Sequence, residues 1–356
     1  MTLARELADT AGRPQVDKNL LINGGMNVWQ RGTSQSISTS VYLVDRFKSN
    51  IGTGTFTVSR STDVPSTQGF SYSIKYDCTT ADTSLAAGDY NQFTQGIEGQ
   101  NLQHLLKGTS SAKPLTLSFW VKSNKTGTYI FQFDDGDNVR IISKAYTIDS
   151  ANTWEKKTLT FDGDTIGTFD NDNNQSLRLV WWQTAGSDFT SGTLQTTWAA
   201  RVNANRAVGQ VNLADSTSNE WYITGCQLEI GEAATDFQFE PYESTYLKCL
   251  RYNYRLENTG GSVFVFVASG VVNTTGTSFG PVTMVHPLRD KPTVSYSSLS
   301  HFDIEKSDVT PTAITIFDSA TGLSPGIQWD HPTMTAGQAS ILTIDQVGWI
   351  NFDAEL

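Results

Sequence analysis

Along most of the chain, apolar and polar residues alternate one for one. This is the period of a β-strand with one buried face. In LTLSFWVKS (115–123), Leu115, Leu117, Phe119 and Val121 fall on one side, and Thr116, Ser118, Trp120 and Lys122 on the other. The runs FTVSR (56–60), FSYSIKY (70–76), TYIFQFDD (128–135), WEKKTLTF (154–161), LRLVWWQ (177–183) and EWYITGCQLEI (220–230) repeat the pattern. Gly-, Asn- and Asp-rich breaks such as GTG, DDGDN, DGDTIG and DNDNNQ stand between them. Such residues favour turns, by tolerating positive φ or by bonding their own backbone. Many short strands separated by turn signals predict an all-β protein built as a jelly roll or β-sandwich. No repeat of fixed period is present, so neither a propeller nor a solenoid is expected.

Three segments break into helical spacing. Leu3, Ala4, Leu7 and Ala8, followed by Gly12 and Pro14, predict a short helix over 1–12. A helix that short is marginal alone and needs a partner. Residues 97–107 place Leu102, Leu105 and Leu106 on one face and stop at Gly108. Residues 243–254 carry Tyr246, Leu247, Leu250 and Tyr254, with Glu243–Thr245 as a cap. Pro241 marks the main boundary. Beyond it, VFVFV (263–267), AITIFDS and WINFDAEL (349–356) read as strands of a second, smaller β-sandwich, the first and last being central or at a subunit interface. The expected organisation is an N-terminal helical arm (1–18) for attachment or oligomerisation, a jelly roll (19–241), and a C-terminal β-domain (242–356).

Composition narrows the function. Charged residues make up only 17% of the chain and the net charge is −11, with no run of Lys or Arg. That argues against nucleic acid or an anionic membrane as partner. Cys78, Cys226 and Cys249 lie far apart without CxxC spacing, which predicts buried thiols and no disulfide framework or zinc site. The opening residues lack an apolar signal core and no apolar stretch reaches 18 residues, so no membrane insertion and no signal-peptide export are expected.

The chemistry is mostly negative. No GxSxG, P-loop or strand-linked GxGxxG is present, and the four histidines are scattered. No catalytic residue, metal or cofactor is expected. Asp134, Asp135, Asp137, Asp162, Asp164, Asp170 and Asp172 could supply the paired carboxylates of a glycosidase or a loose calcium site. Solvated turns are the simpler reading of all seven. An EF-hand start at Asp170, Asp172 and Asn174 fails, because Gln175 and Trp181 stand where Gly and Glu are required. Sugar binding fits better. It pairs aromatic platforms with polar side chains, and the chain holds 9 Trp. Trp120 lies opposite its strand's aliphatic row. Trp181 and Trp182 are adjacent, so one faces away from the other, toward solvent or a partner if the core takes its neighbour. Trp120, Trp181 and Trp182 are the candidate glycan-binding residues, the alternative being core or interface packing.

The segment NLLINGGMNVWQRGTS (19–34) with YLVDRFKS (42–49) resembles the opening of a widespread group of phage tail-fibre and virion structural proteins. Asn23, Gly24, Trp29, Gln30, Arg31, Gly32, Asp45, Arg46 and Phe47 carry the likeness. LTLSFWVKSNKTGTY and YTIDSANTWEKKTLTF resemble the carbohydrate-binding-module-like jelly roll of that group. CQLEIGEAATDFQFEPYESTYLKCLRYNYRL (226–256) resembles its closing strand and link, with Cys249, Arg251 and Tyr252 matching and Asp236 replacing a usual Pro. The ending INFDAEL is similar as well. The resemblance spans about 19 to 356 and implies a virion protein, a homotrimer, and contacts to other virion proteins through the N-terminal arm. It implies a host-surface glycan as ligand and carries no catalytic residue. A purely architectural virion role and a polysaccharide depolymerase are the alternatives. Physically, Trp29 and Phe47 are expected as core anchors of the first sandwich, and Arg31 and Asp45 as a pair pinning the opening segment to the sheet.

Overall fold

The computed structural model describes residues 18–260, 264–274, 276–305, 309–317 and 325–356. The helix expected over 1–12 lies outside the described residues. The fold is all-β, and every strand pairing is antiparallel. The chain divides into two units. The first takes residues up to 27, then 33–43 and 47–240; the second takes 28–32, 44–46 and 241–356. The two short early segments in the second unit were not foreseen.

The first unit is a sandwich. Its six-stranded sheet runs Ser34–Ile37, Thr55–Ser61, Ser73–Thr80, Glu220–Ile230, Leu115–Ser123, Glu155–Phe161. Its seven-stranded sheet runs Ala199–Ala200, Arg140–Ile148, Gly127–Asp135, Gln175–Ala185, Tyr90–Glu98, Phe47–Ile51, Val41–Tyr42. Large rings fill the space between. Phe47 stacks on Phe93 at 4.7 Å, and Trp181 meets Phe131 at 5.0 Å and Phe119 at 5.9 Å. Trp221 from the other sheet closes on Phe93 at 5.9 Å. Phe47 is thus a core anchor of the first sandwich, as expected.

Strand alternation holds on the inner faces, but the outer faces are less open than the pattern implies. In Leu115–Ser123, Thr116 and Ser118 are buried along with the aliphatic row. Residues 231–240 lie over them. Thr116 Oγ1 donates to the Gly231 carbonyl at 2.7 Å, and Gln227 Nε2 to that of Asp236 at 3.1 Å. Phe70, Phe237 and Phe239 pack together in the same cover at 5.0–5.2 Å.

The helix expected over 97–107 is two 3₁₀ turns, Gly99–Asn101 and Gln103–Leu105, after a strand that runs through Glu98. Two turns suffice to bury Leu102 and Leu105. Leu106 then adopts a left-handed conformation and is exposed.

The second unit pairs a three-stranded sheet (Asn253–Asn258, Gly348–Asp353, Thr293–Tyr296) with a six-stranded one that contains Val265–Thr274 near its centre. Trp329, Leu342, Ile344, Ile350 and Phe352 form its core. The expected helix is present as Tyr242–Leu250 but has a different cap. The Pro241 carbonyl accepts from the amides of Ser244 (3.0 Å) and Thr245 (3.3 Å), and no side chain caps it. Pro at this position costs nothing, since its missing N–H would be unpaired. Trp29 is a correction. It is half-buried and belongs to the second unit, not to the core of the first sandwich.

Candidate functional site

Gln30, Arg31, Asp45 and Arg46 of the opening signature meet Tyr252 of the link and the closing residues Asp353 and Glu355 in one buried cluster of the second unit. Arg31 lies 3.7 Å from Asp45, 3.2 Å from Asp353 and 3.3 Å from Glu355. Arg46 pairs with Glu355, and its guanidinium sits 3.3 Å from the ring centroid of Tyr252. Gln30 donates to Asp45 from its amide (2.7 Å) and side chain (2.6 Å), and to the Asn253 carbonyl at 3.0 Å. Burial opposes the Arg31 charge, yet Glu355, Asp45 and Asp353 hold its pKa above the usual value. Burial also pushes the Asp45 carboxyl up, against the pull of Arg31. The Arg31–Asp45 pair therefore exists, and what it pins is an early segment within the second unit. The arrangement is sequestered and serves as scaffold.

Two of the three tryptophan candidates are not at the surface. Trp181 and Trp182 are both 0% exposed. Trp181 is in the core between the sheets. Trp182 does point to the opposite face, as its adjacency requires, but the chain roofs it over. Phe189 packs at 5.3 Å, the Arg206 guanidinium lies 5.2 Å from its ring, and Ile130 and Ala207 complete the patch. Periodicity predicts the direction of a side chain and not what covers it. Trp120 is half-buried on the outer face of the six-stranded sheet, between Lys156 and Thr224 in register.

Three of the acidic candidates are likewise not solvated. Asp134, Asp135 and Asp164 are buried. Lys107 lies 2.6 Å from Asp135 and 3.3 Å from Asp164, and Arg140 grips Asp164 through two bonds of 2.7 and 3.0 Å. Burial would raise the Asp164 pKa, but the bonds from Arg140 and the Ile166 amide, and the charge of Lys107, bring it below the carboxylate range. A small pocket with room for about one water-sized molecule opens beside Lys107, Asp164, Phe169 and Trp198. Held ionised in this way, Asp164 is unsuited to the general-acid role of a glycosidase. Among the described residues no group of three or more His, Cys, Asp or Glu is placed to hold a metal ion.

The outer faces of the sandwich differ. On the six-stranded sheet, Ser59, Lys75, Tyr222 and Lys122 share a register row. Their polar tips are taken internally. Tyr222 donates to Glu220 at 2.7 Å and Lys75 pairs with Glu220 at 2.6 Å. Trp154 Nε1 donates to Asp63 at 2.9 Å; Lys122 pairs with Asp63 and lies 4.2 Å from the Tyr222 ring centroid.

On the seven-stranded sheet three register rows run across the outer face. Asn50, Gln92 and Trp182 form one, and Tyr42, Lys48, Thr94, Val180 and Gln132 the next. Gly96, Arg178, Asp134 and Ile141 form the third. Only part of this face lies under the roof that covers Trp182. Half-buried Tyr42 and Lys48 flank a floor of Asn50, Gln92 and Thr94, with Asn50 Nδ2 donating to Thr94 at 3.1 Å. Next to that floor, Arg178, Arg201 and Arg206 converge on the one carboxylate of Asp134, at 2.7, 2.7 and 3.3 Å. Arg206 also donates to Gln132 Oε1 at 3.1 and 3.2 Å. Burial lowers the Arg206 pKa to about 10; Asp134 opposes the shift, while Arg178 and Arg201 add to it. Sequence reasoning passed over these arginines because they are not neighbours along the chain.

No known protein family matches this sequence, and no curated protein does. Solved structures give loose likenesses. The chain is similar to the enzymatically active domain of tailspike protein 4 of bacteriophage CBA120, at 15% identity and a TM-score of 0.33, with 60% of this chain aligned. It spans 21% of that tailspike chain. It is also similar to a xylan-binding domain of carbohydrate-binding module family 22 (12% identity, TM-score 0.30, 62% of this chain and 100% of that one). A family 11 carbohydrate-binding module from a cellulosomal cellulase of Clostridium thermocellum gives 11% identity and a TM-score of 0.27, over 61% of this chain and 97% of that one.

Proposed function

We propose that this protein is a non-enzymatic structural component of a phage virion, a tail fibre or similar appendage, that binds a host-surface glycan as an adhesin. The opening, link and closing signatures support the virion assignment, and with it the homotrimer and the attachment to other virion proteins. The observation that carries the binding role is the outer face of the seven-stranded sheet. It sets the half-buried ring of Tyr42 and the cations Lys48 and Arg178 over a buried polar layer of Asn50, Gln92 and Thr94. Sugar recognition needs that mixture.

A purely architectural role is the second reading. It is favoured by the burial of Trp181, Trp182, Trp221 and Trp329, which leaves fewer aromatic platforms than the tryptophan count promised. The test is binding of the full chain, in its native oligomer, to an array of bacterial surface polysaccharides, with sugar release followed in the same wells. Saturable binding without release supports the adhesin. Release of oligosaccharides overturns the non-enzymatic reading. An array without hits leaves the architectural role in its place.

A further inference from the structure

We propose that Arg178, Arg201 and Arg206 form a subsite for the carboxylate of an acidic sugar on the outer face of the seven-stranded sheet. The inference rests on the glycan reading above and specifies its ligand. Three guanidinium groups meet one carboxylate, so the cluster carries a surplus of positive charge inside a protein of net charge −11. Structural ion pairs gain from neutralising charge, and surplus buried charge is unfavourable. A partner of opposite charge removes that conflict.

The geometry leaves room for one. The side chains of Arg178 and Arg201 are 31% and 27% exposed, so each is partly open to solvent while paired with Asp134. Arg206 is the fixed member. Its side chain is only 10% exposed, it is anchored on Gln132, and it is seated over Trp182 and Phe189. The cluster already holds a carboxylate, that of Asp134, through hydrogen bonds from Arg178 (2.7 Å) and Arg206 (3.3 Å) and an ion pair with Arg201, the kind of contact a uronic acid would make.

The experiment measures affinity electrophoresis of the full chain in gels containing polygalacturonate or its fully methyl-esterified form, at low and moderate salt. The two polymers share a backbone and differ in charge. The expected result is retardation by polygalacturonate, weakened at least tenfold by esterification, by Arg178→Gln and by Arg201→Gln. Lys156→Gln, on the opposite face, should leave it unchanged. Equal retardation by both polymers, or full retention by both arginine variants, would overturn the carboxylate subsite. So would failure to bind polygalacturonate by a protein that binds neutral glycans on the array, and in that case the glycan reading survives. Absence of binding to any glycan in either experiment would defeat both.

Discussion

The protein builds two clusters of arginine around buried carboxylate, and it balances them oppositely. In the second unit, the described ion pairs join Arg31 and Arg46 to Asp45, Asp353 and Glu355. In the first, Arg178, Arg201 and Arg206 meet Asp134 alone. The pKa values follow: the acids outweigh burial and hold Arg31 above its usual value, whereas burial and neighbouring cations lower Arg206. The first arrangement is closed, with Arg46 almost wholly buried against Tyr252. The second keeps two arginine side chains partly in solvent. A closed cluster holds a fold together, while an open one of surplus charge has capacity left for a ligand. The charged signature residues Arg31, Asp45 and Arg46 belong to the closed cluster, and the residues proposed for function carry no signature.

The largest expected effect is from removing the hub of the open cluster. Asp134→Asn leaves three cations facing one another. It should destabilise the first unit by about 3–5 kcal/mol, the usual cost of stranding buried charge, read as a drop in its urea midpoint. Glu355→Gln deprives Arg46 and Arg31 of a shared acid. A loss of about 3 kcal/mol is expected in the second unit, with glycan binding unchanged. A smaller effect, of about 1 kcal/mol, is expected for Tyr222→Phe, which removes one hydrogen bond from the opposite, self-satisfied face. Binding should again be unaffected. If Tyr222→Phe or Trp120→Ala abolished binding while Arg178→Gln did not, the site would move to the six-stranded sheet.

Acid should also separate structural from functional charge. The Asp164 pKa is lowered in the folded state, so the unfolded chain takes up its proton first as pH falls. Its stabilisation is fully present above about pH 4, the unfolded carboxyl value, and is lost as pH falls through the lower folded value. The urea midpoint of the wild type should fall across that window, and Asp164→Asn should flatten the fall.

Much of the sheet architecture was legible in the sequence. LTLSFWVKS, TYIFQFDD and EWYITGCQLEI alternate because one face of each packs on rings from the opposite sheet. The strand Tyr90–Glu98 escaped notice because both of its faces are buried and its outer face is polar, with Gln92, Thr94 and Gly96 in place of an apolar row. The proposed binding face was not legible. Local periodicity required one of Trp181 and Trp182 to face away from the core; it is Trp182, and its roof comes from residues that follow the strand by a loop. Arg178 meets Asp134 only through strand register, and Arg201 and Arg206 arrive from the segment after it. A chain without runs of Lys or Arg thus still assembles a basic site in three dimensions.

The most direct measurement compares Arg178→Gln with Arg31→Gln for thermal unfolding and polygalacturonate affinity in the same preparations. Arg178→Gln should lose at least tenfold in affinity and change stability by less than about 1 kcal/mol, as for a partly exposed ion pair. Arg31→Gln should keep the affinity and lose several kcal/mol. If Arg178→Gln unfolds the first unit, or if it binds as the wild type does, the open cluster is structural like the closed one and the assignment of the glycan face is wrong.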